Sequence, residues 1–425
     1  MKILMSVYAC EPGVGSERGV GWNVAIEAAK YHQVWVLTRP DESKQAIEAQ
    51  LTAHPIANLH FVYFTLPFWQ DSLRWGQSGA MQIHYYLWQI QAYFVARKLH
   101  RQIDFNVVHH VTFVKYSSPS FLSFLPIPLV WGPVGGGESA PLPFWRDFSL
   151  KNKLYETLRW LWRAWGELDP FARKTAQSST VAYATTEDTA IRVRQMGAPH
   201  VEIMTGIALS PADIERLAQC PPPTQSTVRF ISIARLLHWK GFHLGLRAFA
   251  QANLADAEYW ILGEGPEQQR LEALAVDLGI SHQVKIWGLQ PRSEVLTKLG
   301  QCSALVHPSL HDSGGFVCLE AMAAGRPVIC LDLGGPAQQV TATTGFKISA
   351  ENPVQTVTDL AEAMTKVAAS QDLRLQMGKV GQARVKTHYT WAARGKYLAK
   401  TYEALGADRQ FSYSFPTQEI DDCDH

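Results

Sequence analysis

Apolar runs bounded by turn residues alternate with helical patterns along the chain. KILMSVYA predicts a strand, SERGVGWNVAIEAAKYH a helix and QVWVLTR a second strand, with NVVHHVTF, PLVWG, VAYATT and VEIMT as later strands. That alternation points to parallel βαβ units with helices on both faces of each sheet. It pauses at LSPADIERLAQCPPPTQST, where Pro221, Pro222 and Pro223 make a stiff stretch that cannot pair in a sheet. It restarts with RFISIA, AEYWILG, VKIWG, ALVHP and PVICLD. The expected organisation is α/β, with two Rossmann-like parallel-sheet domains over 1–209 and 228–391 and a linker at 210–227. A helix at about 392–410 is expected to pack back on the first domain, and the polar, proline-broken stretch 411–425 to be a disordered tail.

At 425 residues, with 47% hydrophobic and 18% charged, the chain is too long for one ordinary core, which agrees with two domains. A net charge of +1 lacks the basic excess of a nucleic-acid binder. The six cysteines show no C-x-x-C spacing and read as reduced thiols of a cytoplasmic protein, neither a disulfide framework nor a zinc site. The start MKILMSVYAC is too short and too polar afterwards for a signal peptide, and no apolar run is long enough to span a membrane.

The chemistry concentrates at predicted strand ends, where open parallel sheets bind ligands. In HDSGGFVCLEAMAAGRPVIC, Gly314 and Gly315 let the backbone approach a ligand ahead of a helix starting near Phe316, whose N-terminus suits a diphosphate. Glu320 suits sugar hydroxyls, because a carboxylate can accept two hydrogen bonds from a ribose diol. Asp312 could accept from another hydroxyl. Equally, Asp312 could simply cap the helix and Glu320 be a surface acid. In ISIARLLHWKGF, Arg235 and Lys240 follow a buried strand with no acid near them in sequence, and two such cations can neutralise a diphosphate without a metal.

Together these segments resemble a retaining GT-B glycosyltransferase of the family 4 type. The resemblance rests on Ala234-Arg235-Leu236 with Lys240, on the turn Gly263-Glu264-Gly265-Pro266, and on Asp312 and Glu320 followed by Ala321-Met322-Ala323, Gly325 and Pro327-Val328-Ile329. It is strong over 228–345 and weaker before that. Asp312 stands where the family usually has Glu, Ala234 replaces a Gly, and Gln338 takes a position where an acid is common. The resemblance implies that Arg235 and Lys240 hold the diphosphate of a UDP- or GDP-type sugar, Glu320 the ribose, and Asp312 the transferred sugar. The backbone of Gly314, Gly315 and Phe316 would contact sugar hydroxyls or phosphate, and the base would rest against Ile286 and Trp287. No cofactor or metal is implied. The one D-x-D, Asp422 to Asp424, sits in the polar tail.

In the first half, CEPGVGSERGVGWN frees the backbone at Gly13, Gly15 and Gly19, and Ser16 is placed to cap the helix. Read literally, the glycines also suit an NADP site with Arg39 for the 2′-phosphate; the resemblance instead implies a loop over the donor diphosphate that shapes the acceptor pocket. Successive strand residues face opposite ways, so only one of His109 and His110 can enter the cleft. The resemblance places a histidine there against the transferred sugar, with His110 the first choice. GPVGGGE, with Gly136, is either a cleft wall near the acceptor or a long turn.

Ten of the 14 tryptophans precede residue 170, and PFWRDFSLKNKLYETLRWLWRAW mixes Trp145, Trp160, Trp162 and Trp165 with basic residues. Aromatic and basic residues on one helix suit a membrane surface, a core helix or an oligomer contact. The expected function is metal-independent, retaining transfer of a hexose to a hydroxyl of a lipid-linked saccharide or polysaccharide intermediate, at the inner face of a membrane. The alternatives are a non-catalytic sugar-nucleotide-binding protein and an NADP-dependent oxidoreductase.

Overall fold

The computed structural model describes residues 1–40, 43–67, 69, 79–222 and 227–407. The expected tail at 411–425, with its D-x-D, and Pro223 of the proline triplet lie outside the described residues.

The strands are β1 (Lys2–Ser6), β2 (Gln33–Thr38), β3 (Leu59–Tyr63), β4 (Val107–His110), β5 (Leu129–Val134), β6 (Ser179–Ala184) and β7 (Val201–Ile203) in the first half. The second half holds β8 (Arg229–Ile233), β9 (Glu258–Leu262), β10 (Val284–Ile286), β11 (Ala304–His307), β12 (Val328–Leu331) and β13 (Gly345–Ile348). They form two wholly parallel sheets, ordered β3-β2-β1-β4-β5-β6-β7 and β10-β9-β8-β11-β12-β13. Alternate residues of one strand feed opposite cores. Ile3, Met5 and Val7 enter one layer and Leu4 and Tyr8 the other; Phe230 and Ile231 divide the same way in the second sheet. Each large apolar side chain so buried contributes roughly 1.5–3 kcal/mol. That is why the strands read as continuous apolar runs.

Strand order reverses between β1 and β4 in one sheet and between β8 and β11 in the other. The loops leaving those four strands therefore open into the crevices where α/β sheets take ligands. They carry residues 7–15, 111–120, 234–241 and 308–315.

The chain crosses between the domains twice, and the crossings lie side by side: the Leu209 amide donates to the Tyr389 carbonyl at 2.8 Å. The final helix, Trp391–Ala407, packs on the first domain, with Tyr402 bonded to His109 and the Thr401 and Tyr183 hydroxyls 2.7 Å apart. Two segments depart from the expected division. Within 210–227, Pro211–Ala218 is a helix whose Ile214 and Leu217 join the second domain's core, because the apolar positions before the prolines have a face to bury. Ala140, Phe144 and Phe148, from the first half of the chain, are buried in the second domain's other layer.

Candidate functional site

Three strand-end loops of the second domain are stitched into one wall. The Ala234 amide donates to Leu262 at 3.1 Å, Leu236 to Glu264 at 2.8 Å and Gly263 to Gly288 at 2.9 Å. Such close backbone approach explains the Gly-Glu-Gly-Pro turn. Gly263 has φ +132°, and a Cβ there would stand 1.9 Å from the Ala234 carbonyl oxygen. Arg235 projects from this wall exposed, with no ion pair among the described residues.

Lys240, expected to hold a diphosphate, is paired with an acid. Its ammonium lies 2.5 Å from Asp312 Oδ2, so the cation that appeared free of acids in sequence is already paired. His307 Nε2 lies 3.2 Å from the same oxygen, and the amides of Gly314 and Gly315 donate to Oδ1 at 3.1 and 3.2 Å. Burial alone would raise the Asp312 carboxyl, but the His307 hydrogen bond and the Lys240 charge hold it well below the usual range. Asp312 is thus a loop cap and counter-ion at the mouth of the helix Phe316–Ala323, and its carboxylate takes the two glycine amides expected to face a ligand. A longer Glu would not fit this bonding to the second and third amides downstream in the same way; Asp is a good local cap. Gly315, at φ +63°, packs against Pro336, and Gln339 donates to the Gly314 carbonyl, which fixes the loop.

Glu320 is 2% exposed. Burial raises its carboxyl to about 7 against the opposing charge of Arg292, whose guanidinium lies on Oε1. Arg292 also sits 5.5 Å above the Phe316 ring. Ile286 ends β10, and the next residue, Trp287, carries the Lys298 ammonium 3.4 Å from its ring centroid. That cation covers one face of the ring.

Neither histidine reaches the cleft. His109 bonds the Tyr402 hydroxyl at 2.6 Å and the Gly132 carbonyl at 2.7 Å, under the last helix. His110 lies under the helix Gly79–Ile103, bonded to Tyr85 at 3.0 Å and Gln89 at 3.3 Å. Burial lowers them to about 4 and about 3, so both are neutral at pH 7. The preference for His110 against the sugar is corrected: both faces of a parallel strand are covered by helices, and only the residues beyond its end face the crevice.

Those residues were not singled out in the sequence. Phe113 has φ +61°, uncommon for a bulky residue, and its amide donates to Glu17 Oε1 at 2.6 Å. Its ring packs 4.9 Å from Tyr8 and 5.8 Å from Tyr85. Lys115 follows, exposed beside Gly136, which adopts φ +98°. Although the side chain as a whole is exposed, the protein packed around its ammonium lowers Lys115, the Glu17 charge opposes this, and Arg159 and Arg163 lower it further. Gly13 and Gly15 are exposed with open space where a Cβ would stand, and Gly15 is the N-cap of the helix beginning at Ser16, whose side chain is outside the described set. Arg39 lies over the Tyr8 ring at 4.1 Å and donates to the Tyr8 carbonyl.

The domains meet around this wall. Gly135 would place a Cβ 3.7 Å from Ser313, and the helix Leu150–Leu168 binds both domains. Its Glu156, 3% exposed, lies 3.0 Å from His238 and 3.5 Å from His311; Tyr155 stacks on Trp239 at 5.5 Å. Burial would raise the Glu156 carboxyl, but bonds from both histidines and nearby positive charge hold it low. Arg163 of the same helix donates to the Gly136 and Glu138 carbonyls.

Residues 215–384, which carry Arg235, Lys240, Asp312 and Glu320, match the family described as Glycosyl transferases group 1. This part of the chain is a glycosyltransferase group 1 domain. The D-inositol 3-phosphate glycosyltransferase of Corynebacterium jeikeium is 32% identical over 142 residues, 33% of each chain. The chain spans about a third to three-fifths of the length of the curated relatives it matches. Among solved structures, sucrose-phosphate synthase from Thermosynechococcus elongatus superposes with a TM-score of 0.63 at 16% identity, covering 96% of this chain and 99% of that one. Anabaena HepE in complex with UDP and glucose gives 0.57 at 19% identity, over 95% and 100%. The fold of the whole chain is GT-B.

Proposed function

We propose that the protein is a retaining glycosyltransferase that moves a hexose from a UDP- or GDP-type sugar to an acceptor hydroxyl. The observation that carries this reading is the convergence, at the β8 and β11 ends, of Arg235, the Lys240–Asp312 pair and a helix N-terminus, with buried Glu320 one turn inside. Arg235 and the helix end supply positive potential for a departing diphosphate, the largest electrostatic demand of such a transfer. Lys240 joins them to the extent that phosphate competes with Asp312. Glu320 accepts ribose hydroxyls in place of Arg292. Attack from the face the diphosphate leaves, with the phosphate taking the acceptor's proton, gives retention without a protein nucleophile; Asp312, tied to four donors, is not free to act as one.

A lipid-linked acceptor is supported by the outer face of the helix Leu150–Leu168. Leu150, Leu154, Leu158, Trp162, Trp165 and Leu168 are 56–85% exposed, with Lys151 exposed beside them. An amphipathic face of this kind suits a membrane surface. Among the described residues no helix is long and apolar enough to cross a membrane.

A thermal-shift panel of UDP-, GDP- and ADP-sugars, with wild type beside Glu320→Gln, tests the donor reading. Stabilisation by one nucleotide, about 2.7 kcal/mol at a hundredfold excess over Kd, and its loss in the variant are expected. No response to any of them would sink the proposal.

A further inference from the structure

A cavity of 560 Å³ lies behind the acceptor-side loop, between the helices Gly79–Ile103 and Leu150–Leu168. Its volume is in the range of small-molecule sites. Ile83, Tyr85 and Leu87 wall one side and Trp162, Trp165 and Leu168 the other, while Ser117 and Ser118 of the loop after β4 close the inner end. The outer rim is open: Ile83 is 58% exposed and Trp165 78%. This is where the exposed leucine and tryptophan face of the second helix turns inward, so one apolar surface continues into the cavity.

The one charged residue lining the cavity is Asp169, whose carboxylate is already taken by the Tyr86 hydroxyl and the Phe171 amide, and beyond the serines the charge is mixed, with Glu17 acting on Lys115 alongside two arginines. Ser117 and Ser118 continue the loop from Lys115, whose ammonium has no hydrogen bond or ion pair among the described residues. Arg159 and Arg163 lie close enough to Lys115 to depress its basicity, yet both are held by other partners, Arg159 by Glu156 and the Glu138 carbonyl and Arg163 by Ser139 and loop carbonyls. Of these three cations Lys115 is the one without a hydrogen-bonded or ion-paired partner among the described residues, and it is exposed two residues before Ser117. Tyr85 ties the cavity wall to the strand end through its bond to His110.

We infer that the cavity and Lys115 together bind an anionic amphiphile, a lipid phosphate whose chain fills the cavity and whose phosphate sits at Lys115 in the cleft. The apolar walls match the hydrocarbon and the unpaired ammonium matches the phosphate. The arrangement places any saccharide carried on that phosphate beside the β4 loop, facing the second domain. This rests on the transferase reading for its meaning, since it names the acceptor class of that site, but the binding itself is measured separately.

The test uses hexyl, octyl and decyl phosphate below their micellar concentrations, against the matching alkanols, on the full chain by tryptophan fluorescence. Affinity is expected to rise about fourfold per methylene while the chain is being buried, and each phosphate to bind about tenfold tighter than its alcohol. Ser118→Trp, which fills the inner end, and Ile83→Glu, which charges the rim, should each flatten the chain-length series. Lys115→Met should erase the preference for phosphate and leave the series intact. A flat series in wild type, an unchanged series in both cavity variants, or a phosphate preference surviving Lys115→Met overturns the inference. A UDP-sugar shift measured on the same samples reports the donor site: its absence beside an intact chain series counts against the transferase reading alone, and the converse against the cavity alone.

Discussion

The Lys240 ammonium and the Asp312 carboxylate meet at 2.5 Å across two loops that leave neighbouring strands. Breaking that pair while keeping the oxygen that caps Gly314 and Gly315 isolates its charge. Asp312→Asn should lower stability by about 1–3 kcal/mol, free Lys240 and so tighten UDP binding several-fold, and reduce turnover. Titration calorimetry beside urea unfolding checks both signs. The Asp312 carboxyl lies below its unfolded value, so its contribution is complete above about pH 4 and is lost only on further acidification. The pair therefore adds no slope to stability between pH 5 and 8.

Glu320 works in the opposite direction. Its folded-state value of about 7 lies above that of an exposed glutamate, so near pH 6 the native protein holds a proton that the unfolded chain has lost. Stability should fall as pH rises through about 4.5 to 7, by roughly 3 kcal/mol in all. Urea midpoints at pH 5 and pH 8 for wild type and Glu320→Gln measure it; an equal slope in the two proteins would remove Glu320 as the source.

Two glycines of similar appearance in the sequence should part company. Gly263→Ala forces a side chain into positive φ and onto the Ala234 carbonyl, and should cost about 3 kcal/mol or more. Gly15 has φ −73° and open space where its Cβ would stand, so Gly15→Ala should stay within about 1 kcal/mol of wild type. Loss of turnover in that stable variant would show that the loop backbone must approach the donor.

Glu156 holds His238 and His311 from a helix shared by both domains. Glu156→Ala should cost about 3–5 kcal/mol, since it leaves two buried imidazoles without their acceptor. Glu156→Gln, which keeps an oxygen, should cost less. Thermal unfolding of the three proteins ranks them.

Much of this architecture can be read from the chain. Continuous apolar runs announce parallel strands, and Gly263, Gly265 and Gly315 mark the turns where backbones crowd. What escapes is pairing at a distance. Nothing local to Lys240 or Arg292 indicates that each already sits on an acid, 72 residues along in the case of Lys240. The two histidines of β4 looked chemical because strand-end residues face a crevice. The strand in fact ends with them, and the crevice begins at Phe113 and Lys115, one turn later. The helix before the proline triplet has an apolar face, with Ile214 and Leu217 in the second domain's core, and burial outweighs proximity to prolines.

The last helix closes the first domain, and this has a consequence for synthesis. Ribosomes deliver residues 1–209 long before Trp391–Ala407 emerges, so the nascent first sheet waits with His109 lacking the Tyr402 hydroxyl and Tyr183 lacking Thr401. The second domain, complete by Tyr389, finishes earlier although it starts later. Domain completion in this protein thus runs against the order of translation, and release of the final helix from the exit tunnel is the event that seals the half of the molecule made first.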